Sequence, residues 1–436
     1  MGLVVLATLG ACAPHRAPTP YDRALGLESF DAAWRIVYQT HFDTTFNGVN
    51  WLALREELRP RAERARSADE LRRLILDMLY RLGQSHFTLI PRELADTLDP
   101  AQGPVARGAV GMDVRLFGED LVVTRVDSGG SAEQAGIRTG WVLLAVGTDS
   151  VPRLLGQLRG RPSRYSLEAR AWSVAAARLA GALDTAQDFA LRDGGDRSVS
   201  LRLANLPERS EPVKFGNLPT FFARFEDREL GASGGRRVGL LRFNAWMAPL
   251  MPRLDAAVDR YRGFDGIVID LRGNTGGLAG MIAGVAGHFL DRRDTLGIMR
   301  YRGGSLAFVA NPRRSTADGR AVRPFAGPVA VLIDELSASA SEVFSGGMQS
   351  LGRVRVFGRA SMGAVLAARF DRLPNGDVLY HSFADFITSG GTRLEGRGVI
   401  PDEAVSVTRQ DLLAGRDPVL DAALRWIAAQ PQGGSR

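Results

Sequence analysis

Lysine is almost missing from this chain of 436 residues. Lys214 is the single one, and the rest of the 55 basic residues are arginines scattered without forming a block. Against 48 acidic residues this leaves a formal charge of +7. With no basic run or stripe, the excess reads as a solvated surface, and no nucleic-acid partner is expected. Cysteine is just as scarce. Cys12 stands alone, which excludes an intrachain disulfide and leaves no catalytic thiol in the body of the chain. Histidine is limited to His15, His41, His86, His288 and His381, so few imidazoles are available as a base.

What is present describes an ordinary globular balance, 45% apolar and 24% charged, with enough material for two to four domains. Gly2 to Ala11 is apolar but too short to span a bilayer as a helix. It ends in Leu9-Gly10-Ala11-Cys12 before Pro/Thr-rich coil, which resembles a bacterial lipoprotein signal whose Cys is lipidated after cleavage. The expectation is a protein of the cell envelope, periplasmic and held to the membrane by a lipid at Cys12. The basic segment that normally opens such a signal is missing, which puts the expected start upstream. Residues 1–20 are therefore set aside as signal and tether.

Residues 21–100 read as a helical domain. Trp34, Val37, Tyr38 and Phe42 fall at helical spacing, Trp51 to Ala65 follows, and Ser67 to Tyr80 opens with a Ser/Asp/Glu start. The last helix stops at Leu82-Gly83, and Gln84-Ser85-His86-Phe87-Thr88 comes straight after it, where a side chain can enter a cleft. His86 is the histidine best placed to act as a base. His41 and His288 each precede Phe in helical patterns and read as satisfied core or surface residues, while His381 alternates with apolar neighbours in a strand.

Residues 101–206 form a separate β-rich module. Strands are predicted at Val110–Leu116, Leu121–Val126, Trp141–Gly147 and Ser198–Leu203, with a short helix at Ser131–Gly140 and a helical insertion from Arg153 to Leu183. The pattern resembles a PDZ domain. That resemblance implies a peptide terminus added as a strand, its carboxylate held by amides of the loop Gly108-Ala109-Val110-Gly111.

The remainder, 207–430, opens between Pro207 and Gly235 with a linker that holds a short strand, and then alternates strands and helices. The buried strand Gly266–Leu271 runs into Arg272-Gly273-Asn274-Thr275-Gly276-Gly277, whose glycines let amides approach a ligand. It is not a phosphate loop, because no Gly-Lys-Ser/Thr ending follows. The apolar run Val329–Ile333 turns through Asp334 and Glu335 into Ser337, Ser339 and Ser341 and a helix. Such an elbow sets side chains at the C-terminal edge of a sheet, beside helix amides that favour developing negative charge. Ser339 and Glu342 also fit a capping box, which serves a purely structural end.

Three motifs stand in order behind the PDZ-like module: Leu271-Arg-Gly-Asn-Thr-Gly-Gly277, Ser337-Ala-Ser-Ala-Ser-Glu342 and Gly396-Arg-Gly-Val-Ile-Pro-Asp402. Together they resemble the C-terminal processing and tricorn-type serine peptidase family over Tyr21 to about Asp421. The resemblance implies a multi-domain α/β protein with a crotonase-like α/β spiral core, Ser339 as nucleophile, and an oxyanion hole from the amide of Ala340 with one from Gly276 or Gly277. One branch of the family uses a Ser-Lys dyad, but the matching stretch here, Ala360-Ser361-Met362-Gly363-Ala364, has Ala364 at the lysine position. The tricorn branch uses serine and histidine with a further serine and a glutamate, which fall on Ser85, His86 and Glu395. For Glu395 the alternative is a surface residue paired with Arg393 or Arg397. The implied activity is hydrolysis of peptides or unfolded chains through an acyl-enzyme, without cofactor or metal. Two alternatives share the fold: a silent protein binding a peptide or apolar ligand, and a crotonase-type acyl-CoA enzyme, against which the module and signal argue. Oligomeric state is not legible.

Overall fold

Helix-start chemistry and apolar spacing build the N-terminal layer. In the computed structural model, which describes residues 21–97, 107–161, 163–208, 210–213 and 221–431, helices span Arg23–Thr40, Trp51–Glu63 and Ala68–Tyr80. Asp22, Asn50 and Ser67 cap them by accepting amides of the first turn. They close on Phe30, Val37, Trp51, Leu58 and Ile75, all buried, each contributing roughly 1.5–3 kcal/mol on removal from water. The third helix ends before Gly83 at φ +63°, a left-handed residue that stops it. The chain then enters the short strand Thr88–Ile90, antiparallel to Val378–Thr388 near the other end of the sequence. Cys12, His15 and Lys214 lie outside the described residues, and among those described no helix is long and apolar enough to cross a membrane.

The β-rich module pairs Met112–Phe117, Asp120–Val126, Val142–Val146, Ala186–Arg192 and Ser198–Ala204 in that order, all antiparallel. The strand Ala186–Arg192 was hidden by its half-exposed alternation. The predicted helical insertion is two helices, Val151–Arg159 and Leu167–Arg178, followed by a short strand, Ala180–Ala182. The second helix packs on the edge strand Met112–Phe117, where Trp172 Nε1 donates to Asp113 Oδ1 at 3.0 Å.

The expected carboxylate loop needs correction. Gly108 is central in a ribbon, with Arg107–Ala109 between Leu206–Pro207 and Ala180–Ala182. The Val110 amide donates to Leu179 O at 3.2 Å. Of the loop 108–111, Ala109 and Gly111, the latter at φ +75°, border a cavity.

The core sheet runs Phe225–Ala232, Arg236–Phe243, Gly266–Asp270, Val329–Ile333, Arg355–Gly358 and Glu403–Ala404. Its first pair is antiparallel and the rest are parallel. The short strand expected within the linker is the edge strand Phe225–Ala232, in which exposed and half-buried residues are equally frequent. Both central strands are fully buried, as continuous apolar runs in a parallel sheet require. Helices Met251–Tyr261, Gly280–Gly287 and Ala340–Ser350 contribute to the core on one face, and Pro418–Ala429 covers the other. A second sheet joins Thr88–Ile90, Val378–Thr388, Asp294–Tyr301 and Gly304–Ala310. It carries the residue after the helical exit to the core's edge.

Candidate active site

At the end of strand Val329–Ile333, Asp334 fastens the turn, its Oδ1 accepting the amides of Gly273 at 2.8 Å and Leu336 at 3.0 Å. The three serines then separate by environment. Ser337 Oγ donates to Leu271 O at 2.8 Å, and Ser341 Oγ donates to Asn274 O at 3.0 Å while accepting from Trp246 Nε1 at 2.9 Å. Both are fully buried, and both tie the elbow to the glycine loop. Ser339 is the partly exposed member, at φ 53° and ψ −116° just before helix Ala340–Ser350. A left-handed φ in a residue with a Cβ is strained and persists where its surroundings hold it.

Gly276 permits this arrangement. A Cβ there would lie 2.6 Å from Ser339 Cβ and 3.1 Å from the Ala340 nitrogen. Its own amide donates to Asn274 Oδ1 at 3.0 Å, so of the two glycines named from the sequence Gly277 is the one whose amide makes no hydrogen bond among the described residues. The Ala340 amide opens the helix, where the first N–H groups lack intrahelical partners.

The base comes from the helical exit. Ser85 and His86 are buried, the latter at φ +63°. Ser85 Oγ lies 2.7 Å from His86 Nδ1 and donates to Glu395 Oε2 at 2.9 Å, and the Ser85 amide donates to Glu395 Oε1 at 2.8 Å. A hydroxyl has one proton, so giving it to the carboxylate requires that Nδ1 carry the ring's hydrogen. Nε2 is left with a lone pair, the form a general base needs. Burial drives His86 well below the ordinary histidine value, and the Arg164 cation pushes the same way. Tyr380 packs on the ring at 5.7 Å between centroids.

Both halves meet on one segment. The Ser339 amide donates to Ala364 O at 2.9 Å, and the next amide, Val365, donates to Glu395 Oε2 at 3.1 Å. Ala364 is buried where the dyad branch would carry its lysine. Arg393 pairs with Asp385 and not with Glu395. Glu395 instead lies 3.2 Å from Arg164. The other described histidines are engaged elsewhere: His41 with Gln84, His288 with Asp255 and His381 with Asp371. No group of metal-ligating side chains occurs among the described residues.

Two neighbours escaped sequence reasoning. Tyr165 Oη accepts the His86 amide at 3.3 Å, and Arg164 Nη2 donates to Gly363 O at 2.6 Å. They come from the connection between the module's two helices, in a stretch whose only signal was an excess of arginine.

The profile of peptidase family S41 matches residues 237–405, and that of the tricorn protease C1 domain matches residues 27–80. Residues 237–405 are thus a peptidase family S41 domain. The S41 match takes in the glycine loop, the elbow and Glu395, and the C1 match ends shortly before Ser85. The chain is 28% identical over 402 residues to the chloroplastic C-terminal processing peptidase of Tetradesmus obliquus, covering 90% of this chain and 79% of the relative. It is 26% identical to the carboxyl-terminal-processing protease of Synechocystis sp., covering 91% and 84%. In fold it resembles the photosystem II D1 C-terminal processing protease, with a TM-score of 0.60 at 22% identity, covering 93% of this chain and 98% of that one. The S41 peptidase is a serine protease acting on peptide or protein substrates, with a mixed α/β fold of several sheets.

Proposed function

We propose that this serine peptidase cleaves peptides or unfolded chains through an acyl-enzyme on Ser339, with His86 as base. One observation carries the reading: the chain of bonds from His86 Nδ1 through Ser85 Oγ to Glu395, on the segment that also holds Ser339. Ser339 Oγ attacks the scissile carbonyl carbon as His86 Nε2 takes its proton. The carbonyl oxygen becomes an oxyanion facing the amides of Ala340 and Gly277. The imidazolium returns its proton to the leaving amine, and water repeats the sequence to release the acid. Glu395, through Ser85, stabilises the positive ring.

The finer parts of the proposal concern delivery. A cavity of about 230 Å³ lined by Ala109, Gly111, Asp127, Gly130, Glu208 and Arg224 would take a peptide terminus, with Arg224, which lies 3.7 Å from Asp127 and 3.9 Å from Glu208, as its cation. A lipid at Cys12 would hold the enzyme in the bacterial periplasm, and mass spectrometry of the N-terminal peptide from envelope fractions tests this.

A fluorophosphonate probe tests the mechanism. The wild type should label at one serine, Ser339→Ala should neither label nor cleave a denatured protein, and His86→Ala should label at least ~10²-fold more slowly. Residual cleavage by Ser339→Ala would remove Ser339 from the role of nucleophile.

A further inference from the structure

Glu342 is fully buried in the helix that follows Ser339, and the described residues show no salt bridge to it. A buried carboxylate without a cation is costly unless hydrogen bonds replace its water. Here four donors converge on it. Oε2 accepts the amides of Ser339 at 3.0 Å and Ala364 at 2.9 Å, while Oε1 accepts Ser361 Oγ at 2.6 Å and the Gly363 amide at 2.7 Å. Burial still outweighs them and raises the carboxyl to about 7. A helix cap alone needs one bond to its N-cap amide. The other three reach a different segment.

That segment serves the base. Gly363 O accepts the Gly396 amide at 2.9 Å and Arg164, the Val365 amide holds Glu395, and Ser361 Oγ accepts the Val399 amide at 2.6 Å. Glu342 therefore touches the nucleophile's own backbone on one side and the scaffold of Glu395 on the other. We propose that Glu342 is a positioning residue, fixing the spacing between the strained Ser339 elbow and the Ser85–His86–Glu395 relay. It touches no reacting atom. Its effect passes through the backbone of Ser339 and of Gly363–Val365.

This inference rests on the assignment of Ser339 and His86, and the experiment separates the two. Glu342→Gln keeps the shape but turns an amide NH₂ toward donors, so one side of the bridge must open. For folded protein, kcat and the fluorophosphonate labelling rate should fall together by about 10²-fold, with KM changed less than about threefold, as a misplaced reacting group predicts. Ser361→Ala removes one donor and should lower kcat about tenfold with the same split. It carries the test if Glu342→Gln does not fold. Wild-type protein that labels, beside folded variants that label as fast as wild type, overturns the inference and leaves the nucleophile standing. Wild-type protein that does not label at Ser339 overturns the underlying assignment instead.

Discussion

As the proposed base, His86 must keep a neutral ring, and burial with Arg164 nearby holds its pKa well below 6.5. The sign follows directly: lowering pH through 6.5 does not yet protonate the ring, so kcat/KM should stay level there and fall only at more acidic pH. A rate profile bending at 6.5 or above would contradict a buried, neutral base. Ser85→Ala breaks the path from Nδ1 to Glu395 and should cost roughly 10²-fold in kcat with KM little changed. His86 stood out in the sequence because only five histidines compete and it follows a helix stop, whereas Ser85 was named through the resemblance to the tricorn branch. Their environment was not legible there. Whether Ser85 faces the ring or the solvent depends on Glu395, 310 residues further along.

Between strand Gly266–Asp270 and its neighbour Val329–Ile333, two turns face each other so closely that only glycine fits. Gly276→Ala would press a methyl against Ser339 Cβ at 2.6 Å and force φ +102° on a residue with a side chain. We expect kcat to fall at least tenfold from displacement of the nucleophile, measured on protein whose folding is confirmed by circular dichroism. The same strand ends in Asp270, whose carboxylate is held down to about 2 by Arg272 and Arg242 despite burial. A carboxylate depressed in the folded state stabilises above its unfolded pKa near 3.8 and loses that contribution as pH falls through 2. About 2 kcal/mol should vanish over that window, and Asp270→Asn should flatten it in acid-unfolding curves. The elbow and the central strands were readable because short apolar runs, five residues in Val329–Ile333 and the run 267–269 in its neighbour, admit few other placements. The strand Ala186–Arg192, which lies between Val142–Val146 and Ser198–Ala204, was not, since its half-exposed alternation carries little apolar patterning.

The proposed catalytic centre joins parts of the chain that fold in different layers. The helical N-terminal part supplies Ser85 and His86, the core supplies Ser339 and Glu395, and the β-rich module reaches in with Arg164 and Tyr165. Arg164→Ala removes a cation that opposes protonation of His86 and frees Glu395 to favour it. The acid limb of kcat/KM should therefore move to higher pH, and an unmoved limb would show that Arg164 only fastens the module to Gly363. The apolar run Val329–Ile333 by itself marked the buried elbow, and the three motifs, through their resemblance to the C-terminal processing and tricorn-type peptidases, pointed to the peptidase class and to Ser339 as the proposed nucleophile. Tertiary structure alone decided which nitrogen of His86 is free, which glycine amide is already bonded, and that Glu342 bridges both halves of the site. Hydrogen-bond partners far apart in sequence are chosen by packing, and no local pattern records them.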